Sequence, residues 1–293
     1  MTLRDFAILV AVCLVWSVNN VVSKVVVGMW HVPPLFYAGL RFALVLLVTL
    51  PWLRPMPRPA WRVLLIGLLL GGGSFALLFI GLKSVSPSAA AIIAQTGVPF
   101  TTLLSILMLG ERIRWRRALG ITLSLAGTVL VVWKPGFAIS AGMLYVLAAA
   151  FAGALGSVLM KQMDVIAPLR FQAWVGMTGL VLLAPLSVAT ELDQWHNAAV
   201  AGWPFVAALL FSALVVSVVA HTAYFVLIQR YEANLLTPLT LITPLGTIAL
   251  GVAFTGDEFD TRMIVGTIIA LIGVLIVAVR RTGAPTSLAQ EHS

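Results

Sequence analysis

Charge is scarce in this sequence. Only 10% of its 293 residues are Asp, Glu, Lys or Arg, against roughly 25% in soluble domains, while 61% are hydrophobic and the mean hydropathy is +1.06. That shortage excludes an ordinary soluble domain. A large soluble core is apolar too, but residues 141–160 hold no charged side chain at all, and about 20 such residues span a bilayer. Cysteine is almost missing. Cys13 is the single one, which rules out a disulfide framework and a multi-thiolate metal site, and its place inside the first apolar run reads as inert packing. The phosphate loop GxxxxGK[ST] is absent, so the chain does not hydrolyse ATP itself. HExxH, paired aspartates and a CxxC cluster are absent as well, which argues against a metalloprotease, a prenyltransferase and any metal or other cofactor.

The sequence does contain a series of apolar runs of spanning length: residues 6–27, 33–53, 63–82, 87–109 and 118–133, then 141–160, 171–190, 203–228, 233–255 and 263–279. The expected fold is an all-α integral membrane protein of ten transmembrane helices. The first run is long for a signal peptide and no small-residue cleavage site comes after it, so it is expected to remain as an uncleaved first helix. The polar tail at 282–293 is expected to be disordered and cytoplasmic.

The formal charge of +8 would suggest nucleic acid in a soluble protein, yet the basic residues fall in short clusters between apolar runs. They report topology instead. With a cytoplasmic N-terminus, thirteen basic residues lie on the inner side, among them Arg54, Arg58, Arg62 and Arg112 to Arg117, and only Lys83, Lys134 and Arg262 lie outside. Glu191, Asp193, Asp257, Glu258 and Asp260 all fall outside. Both termini are therefore expected in the cytoplasm, and the even helix count requires the same. Nucleic acid is not an expected partner; the lipid bilayer is.

The two halves resemble each other. Aligning the stretch that begins SPSAAAIIAQTGVPF with the one that begins EANLLTPLTLITPLG pairs Pro99 with Pro244, Glu111 with Glu258, Gly120 with Gly266 and Gly127 with Gly273. The boundaries read as a first repeat at 1–134 and a second at 135–281. Repeats of five helices, an odd number, must be inverted in the membrane, and inverted repeats are the usual construction of secondary transporters.

The stretches WSVNNVVSK, SPSAAAIIAQTGVPF and GERIRWRRALG, with the echo GDEFDTRMIVG, resemble the EamA-type repeats of the drug/metabolite transporter superfamily. The pattern is most similar to bacterial exporters of aromatic and other neutral amino acids. That resemblance implies outward transport of a small metabolite across the bacterial inner membrane, by a monomer or a homodimer. Within the superfamily the same fold also moves nucleotide sugars, sugar phosphates and drugs.

Candidate site residues emerge from polar and aromatic groups inside apolar helices. Trp16, Asn20 and Lys24 lie four residues apart on helix one, as a wall facing solute or as a set of interhelical hydrogen bonds. Lys24, near the outer end, either meets a solute carboxylate or snorkels to headgroups. Phe75 and Phe79 come after the glycine run at 71–73 and offer stacking faces. In helix eight Ser217, His221 and Phe225 share a face with Tyr224 adjacent, and His221 is either functional or neutral on a carbonyl. Ser157 aligns with Lys161 in helix six.

Helices four and nine carry Gln95 before Pro99, and Pro238 and Pro244 around Thr240. A proline in a membrane helix strips a carbonyl of its partner, which marks Pro99, Pro238 and Pro244 as hinges. No Asp or Glu is expected inside a helix to pair with Arg41, which either stays unpaired or reaches outer phosphates. That favours a neutral, zwitterionic or anionic solute. The reading is a carrier working by alternating access around a cavity lined by helices one, three, four, six, eight and nine. The alternatives are an importer or facilitator of the same build, and a membrane enzyme acting on lipid.

Overall fold

The structure is a computed structural model that describes residues 1–110, 115–132, 140–160, 162–163, 166–231, 236, 239–257 and 260–278. Among these every regular element is helical. The helices are α1 (Leu3–Lys24), α2 (Pro34–Thr49), α3 (Ala60–Gly67), α4 (Ser74–Leu82), α5 (Pro87–Ala94), α6 (Gly97–Leu109) and α7 (Trp115–Val132). They continue as α8 (Ala141–Met160), α9 (Pro168–Thr190), α10 (Gln194–Leu210), α11 (His221–Arg230), α12 (Ile242–Phe254) and α13 (Thr261–Ala278). Several join end to end. A π-helix over Leu68–Gly73 links α3 to α4, another over Phe211–Ala220 links α10 to α11, and a third, Val25–Met29, prolongs α1.

Local chemistry sets these ends. Proline opens α2, α5 and α9, where its missing N–H costs nothing and its φ is already helical. Thr2 accepts from the Asp5 amide at the start of α1, Ser86 caps α5, and Gly110 closes α6 in the left-handed region at φ 67°.

Seven helices are long and apolar enough to cross a membrane by length and composition, namely Leu3–Met29, Pro34–Leu53, Ala60–Leu82, Pro87–Leu109, Ala141–Met160, Pro168–Thr190 and Gln194–Leu227. Ala118–Val131, Ile242–Phe254 and Thr261–Ile276 are shorter apolar helices, and they coincide with the fifth, ninth and tenth expected runs. Residues 133–139, which include the expected repeat boundary, and the tail at 279–293 lie outside the described residues, as do Glu111, Lys134, Lys161, Pro238 and Glu258. Gly202, at φ 62°, breaks α10 just before Trp203, so the expected run at 203–228 begins at a real bend.

The interior mixes an apolar core with buried polar groups, and the outside is rich in large apolar side chains. Ser17, Arg41, Ser88, Ser124, Ser212 and Thr247 are fully buried, while Leu107, Val181, Val188 and Phe254 are exposed. Several buried hydroxyls are satisfied on their own helices, as Ser17, Thr49, Thr128 and Thr267 are by donating to the carbonyl four residues earlier. This arrangement suits lipid, which offers no hydrogen-bond partner.

Helix pairs form the frame: α2 packs on α9, α4 on α8, α1 on α12 and α7 on α13. The last pair is held by glycine. A Cβ at Gly127 would collide with Gly266 and Ala270, and one at Gly273 with Gly120 and Ser124. Close backbone approach through small residues is what holds helices together where lipid removes the hydrophobic drive. Two carboxylates cap helix starts on other elements. Glu191 accepts from the amides of Leu35 and Phe36 at 2.9 and 2.8 Å, and Asp257 accepts from the Ser88 amide at 2.9 Å and from its hydroxyl. Each meets the positive end of a helix dipole. Asp5, in the first turn of α1, is a carboxylate at 7% exposure, and it accepts from the Tyr231 hydroxyl at 2.5 Å.

Candidate functional site

A cavity of about 700 Å³ opens between the helices, within the size range of small-molecule sites. Its wall runs from Trp16 on α1 and Ser217 in the Phe211–Ala220 π-helix, past Phe75, Phe171 and Phe225, to Met163 and Ile166 in the connection between α8 and α9. It therefore reaches the end of the bundle where that connection lies.

Expected site residues meet there: Trp16, Phe75, Ser157, His221 and Phe225, with Ser217 and Tyr224 beside His221. The Trp16 ring lies 5.3 Å from that of His221 and meets Tyr224 edge-on at 4.9 Å. Phe225 meets Phe171 edge-on at 5.4 Å, and Phe75 does the same with Phe42 at 5.6 Å. The Val216 carbonyl accepts from His221 Nδ1 at 2.7 Å and also from the His221 backbone amide. Ser157 donates back to Gly153 at 2.8 Å.

The other expected residues lie off this wall. Asn20 donates to Thr247 on α12 at 3.1 Å, the interhelical role. Lys24 donates to the Leu82 carbonyl at 2.8 Å, where α4 ends and its last carbonyls lack helical partners, so it caps a helix rather than meeting headgroups. Phe79 is 1% exposed and stacks on Tyr37 at 5.2 Å. Gln95 and Thr240 stand at the breaks in their helices instead. The helices also differ from expectation: two and seven, through Phe42, Phe171, Gln172 and Val175, line the cavity, and among the described residues none from four or nine does.

Behind the wall runs a buried polar chain. Arg41 is 0% exposed, which overturns the reading in which it reaches outer phosphates. Its Nε donates to Ser217 Oγ at 2.9 Å, and Ser217 donates to the Ser212 carbonyl at 3.2 Å. Ser212 Oγ in turn donates to Asn19 Oδ1 at 2.9 Å, so the Tyr37 hydroxyl, 2.5 Å away, must donate to it.

The expected hinges show matching geometry. The chain between α5 and α6 turns at Gln95 and Thr96, four residues before Pro99, and the carbonyl of Gln95 is taken up by the Val98 amide at 3.1 Å. Before α12 it turns at Thr240 and Leu241, four residues before Pro244, and the Thr240 carbonyl is taken up by the Thr243 amide at 3.0 Å. Both prolines are buried.

The model of the EamA-like transporter family matches residues 5–133 and again residues 140–279. The chain belongs to that family. It is 28% identical to a probable amino-acid metabolite efflux pump of Salmonella typhimurium, covering 94% of this chain and 95% of that one, and 26% identical to one of Escherichia coli with the same coverage. A solved crystal structure matches with a TM-score of 0.65 at 20% identity, covering 93% of this chain and 95% of the other, and that likeness concerns the fold alone. This EamA-like protein is thus a multi-pass membrane transporter, and its relatives are transporters and efflux pumps rather than enzymes. Another relative, 27% identical over 87% of this chain and 84% of that one, is an uncharacterized inner membrane transporter of Escherichia coli.

Gln172, Phe42, Met160 and Met163 were not among the expected site residues. Only Gln172 carries a signal that sequence could have supplied, as a polar residue, 5% exposed, inside an apolar helix.

Proposed function

We propose that this transporter exports amino acids, neutral or aromatic ones foremost, by alternating access, with the cavity between α1, α2, α4, α8, α9 and α11 as its solute site. The observation that carries the reading is the wall itself. Trp16, Phe42, Phe75, Phe171, Tyr224 and Phe225 give it flat apolar faces, and Ser157, Gln172, Ser217 and His221 supply a few polar groups. Apolar walls with sparse polar groups are the usual build of small-molecule sites, and the relatives named as amino-acid metabolite efflux pumps support the solute class.

In this reading ten helices form two inverted five-helix repeats, both termini are cytoplasmic, and the cavity opens inward between Met163 and Pro168. The capped ends of α2 and α5, held by Glu191 and Asp257, then close the opposite side. Two features support rocking of one half on the other: the paired turns before Pro99 and Pro244, and the crossed glycines of α7 and α13.

The test is counterflow in proteoliposomes of purified protein, with labelled phenylalanine, methionine, threonine, a nucleotide sugar and a lipophilic cation, with and without a pH gradient. The proposal expects saturable exchange of amino acids and none of the cation. Flux of the sugar nucleotide or the cation alone contradicts the solute class, and no flux at all contradicts transport of these solutes.

A further inference from the structure

Arg41 is the largest of the fully buried side chains. A guanidinium keeps its charge in a protein and presents five N–H donors. One is used, from Nε to Ser217 Oγ, while Nη1 and Nη2 have no hydrogen-bond partner. Among the described residues no carboxylate lies within ion-pairing distance of it. A buried cation left unpaired is strongly unfavourable, because desolvation is not repaid. Such a group is tolerated where an anion arrives to complete it.

The two side chains that hold Arg41 both stand in the cavity wall. Ser217 accepts its Nε, and the guanidinium carbon lies 4.6 Å from the centroid of the Phe75 ring. The guanidinium is therefore one side chain behind the cavity, with Phe75 as the partition. That ring is only half buried and touches Phe42 and Phe79 edge-on, and a change of its rotamer is the movement that would open the Nη donors to the cavity. The geometry points to Arg41 as the anchor for the carboxylate of a solute whose apolar body rests on the aromatic wall. The partners of that carboxylate are Nη1 and Nη2, in the paired arrangement a planar guanidinium offers to two oxygens. This inference rests on the transport reading above and names the part of the solute that the site recognises.

Binding is measured by calorimetry on purified full-length protein, using phenylalanine, methionine and threonine, each beside its own amide. The amides keep the side chain and amine and lose the negative charge. For the wild type, the amide of any amino acid that binds is expected to bind about 10- to 100-fold more weakly, the span of a hydrogen bond to a charged group. Arg41→Gln is expected to remove that difference and Arg41→Lys to retain part of it, with thermal melting as the check of folding. Where Arg41→Gln does not fold, Arg41→Lys and the wild-type comparison decide. Equal binding of acid and amide by the wild type overturns the proposal, as does a folded Arg41→Gln that still discriminates. Those two results leave the transport reading standing, whereas absence of binding by any of the acids counts against both.

Discussion

The rings of Trp16 and His221 meet 5.3 Å apart, tilted by 50°, on the wall of the cavity. They join the middle of α1 to the point where the Phe211–Ala220 π-helix gives way to α11. π-helical turns inside longer helices recur at functional sites, and this one sets His221 on the wall while its Nδ1 is taken by Val216.

Removing the indole should therefore be felt as lost binding. An aromatic pair contributes about 0.5–1.5 kcal/mol beyond its area, and a solute stacked on the same face loses its surface as well. Trp16→Ala is expected to weaken solute binding about tenfold, and Trp16→Phe by less, as read by calorimetry. Unchanged affinity in a folded Trp16→Ala protein would remove this wall from the site.

Pro99→Ala and Pro244→Ala each return a donor to a helix that now turns four residues earlier. Straightening either helix should slow turnover several-fold, in proportion to the loss of a hinge, while the dissociation constant moves little. The check is counterflow rate against binding on the same preparations. Collapsed binding with normal turnover per bound solute would reverse these roles.

Gly127→Leu is a test of packing alone, because a side chain there meets the backbone of Gly266 and Ala270. Overpacking of this kind costs about 1–3 kcal/mol or more. The melting temperature in detergent is expected to fall by several degrees, and Gly273→Leu should behave alike. Melting at the wild-type temperature would mean that α7 and α13 do not meet closely.

Glu191→Gln and Asp257→Asn keep the shape of their caps and lose the charge. Charge-assisted bonds to helix N-termini contribute about 0.5–2 kcal/mol, so each variant should melt a few degrees lower. The pair should be additive, since Glu191 serves α2 and Asp257 serves α5.

Much of this architecture is legible in the sequence because membrane helices announce themselves by length and apolarity, and the runs at 87–109, 141–160 and 203–228 fall where helices stand. The site is less legible. Four residues advance about 40° more than one full turn of a helix, so the stripe Trp16, Asn20, Lys24 winds away from one face and its members meet the cavity, Thr247 and Leu82 in turn. Phe42 and Phe171 look like any lipid-facing aromatic until the packing of α2 on α9 turns them inward. Periodicity identifies a face, but only a neighbouring helix decides what that face sees.

The central claim is that solute passes through the cavity between α1, α8 and α11, and a cysteine placed at Ser157 tests it most directly. In a Cys13→Ala background, Ser157→Cys should react with a small thiol reagent, lose counterflow when modified, and be protected by saturating solute. Fully modified protein that transports at the unmodified rate would contradict it.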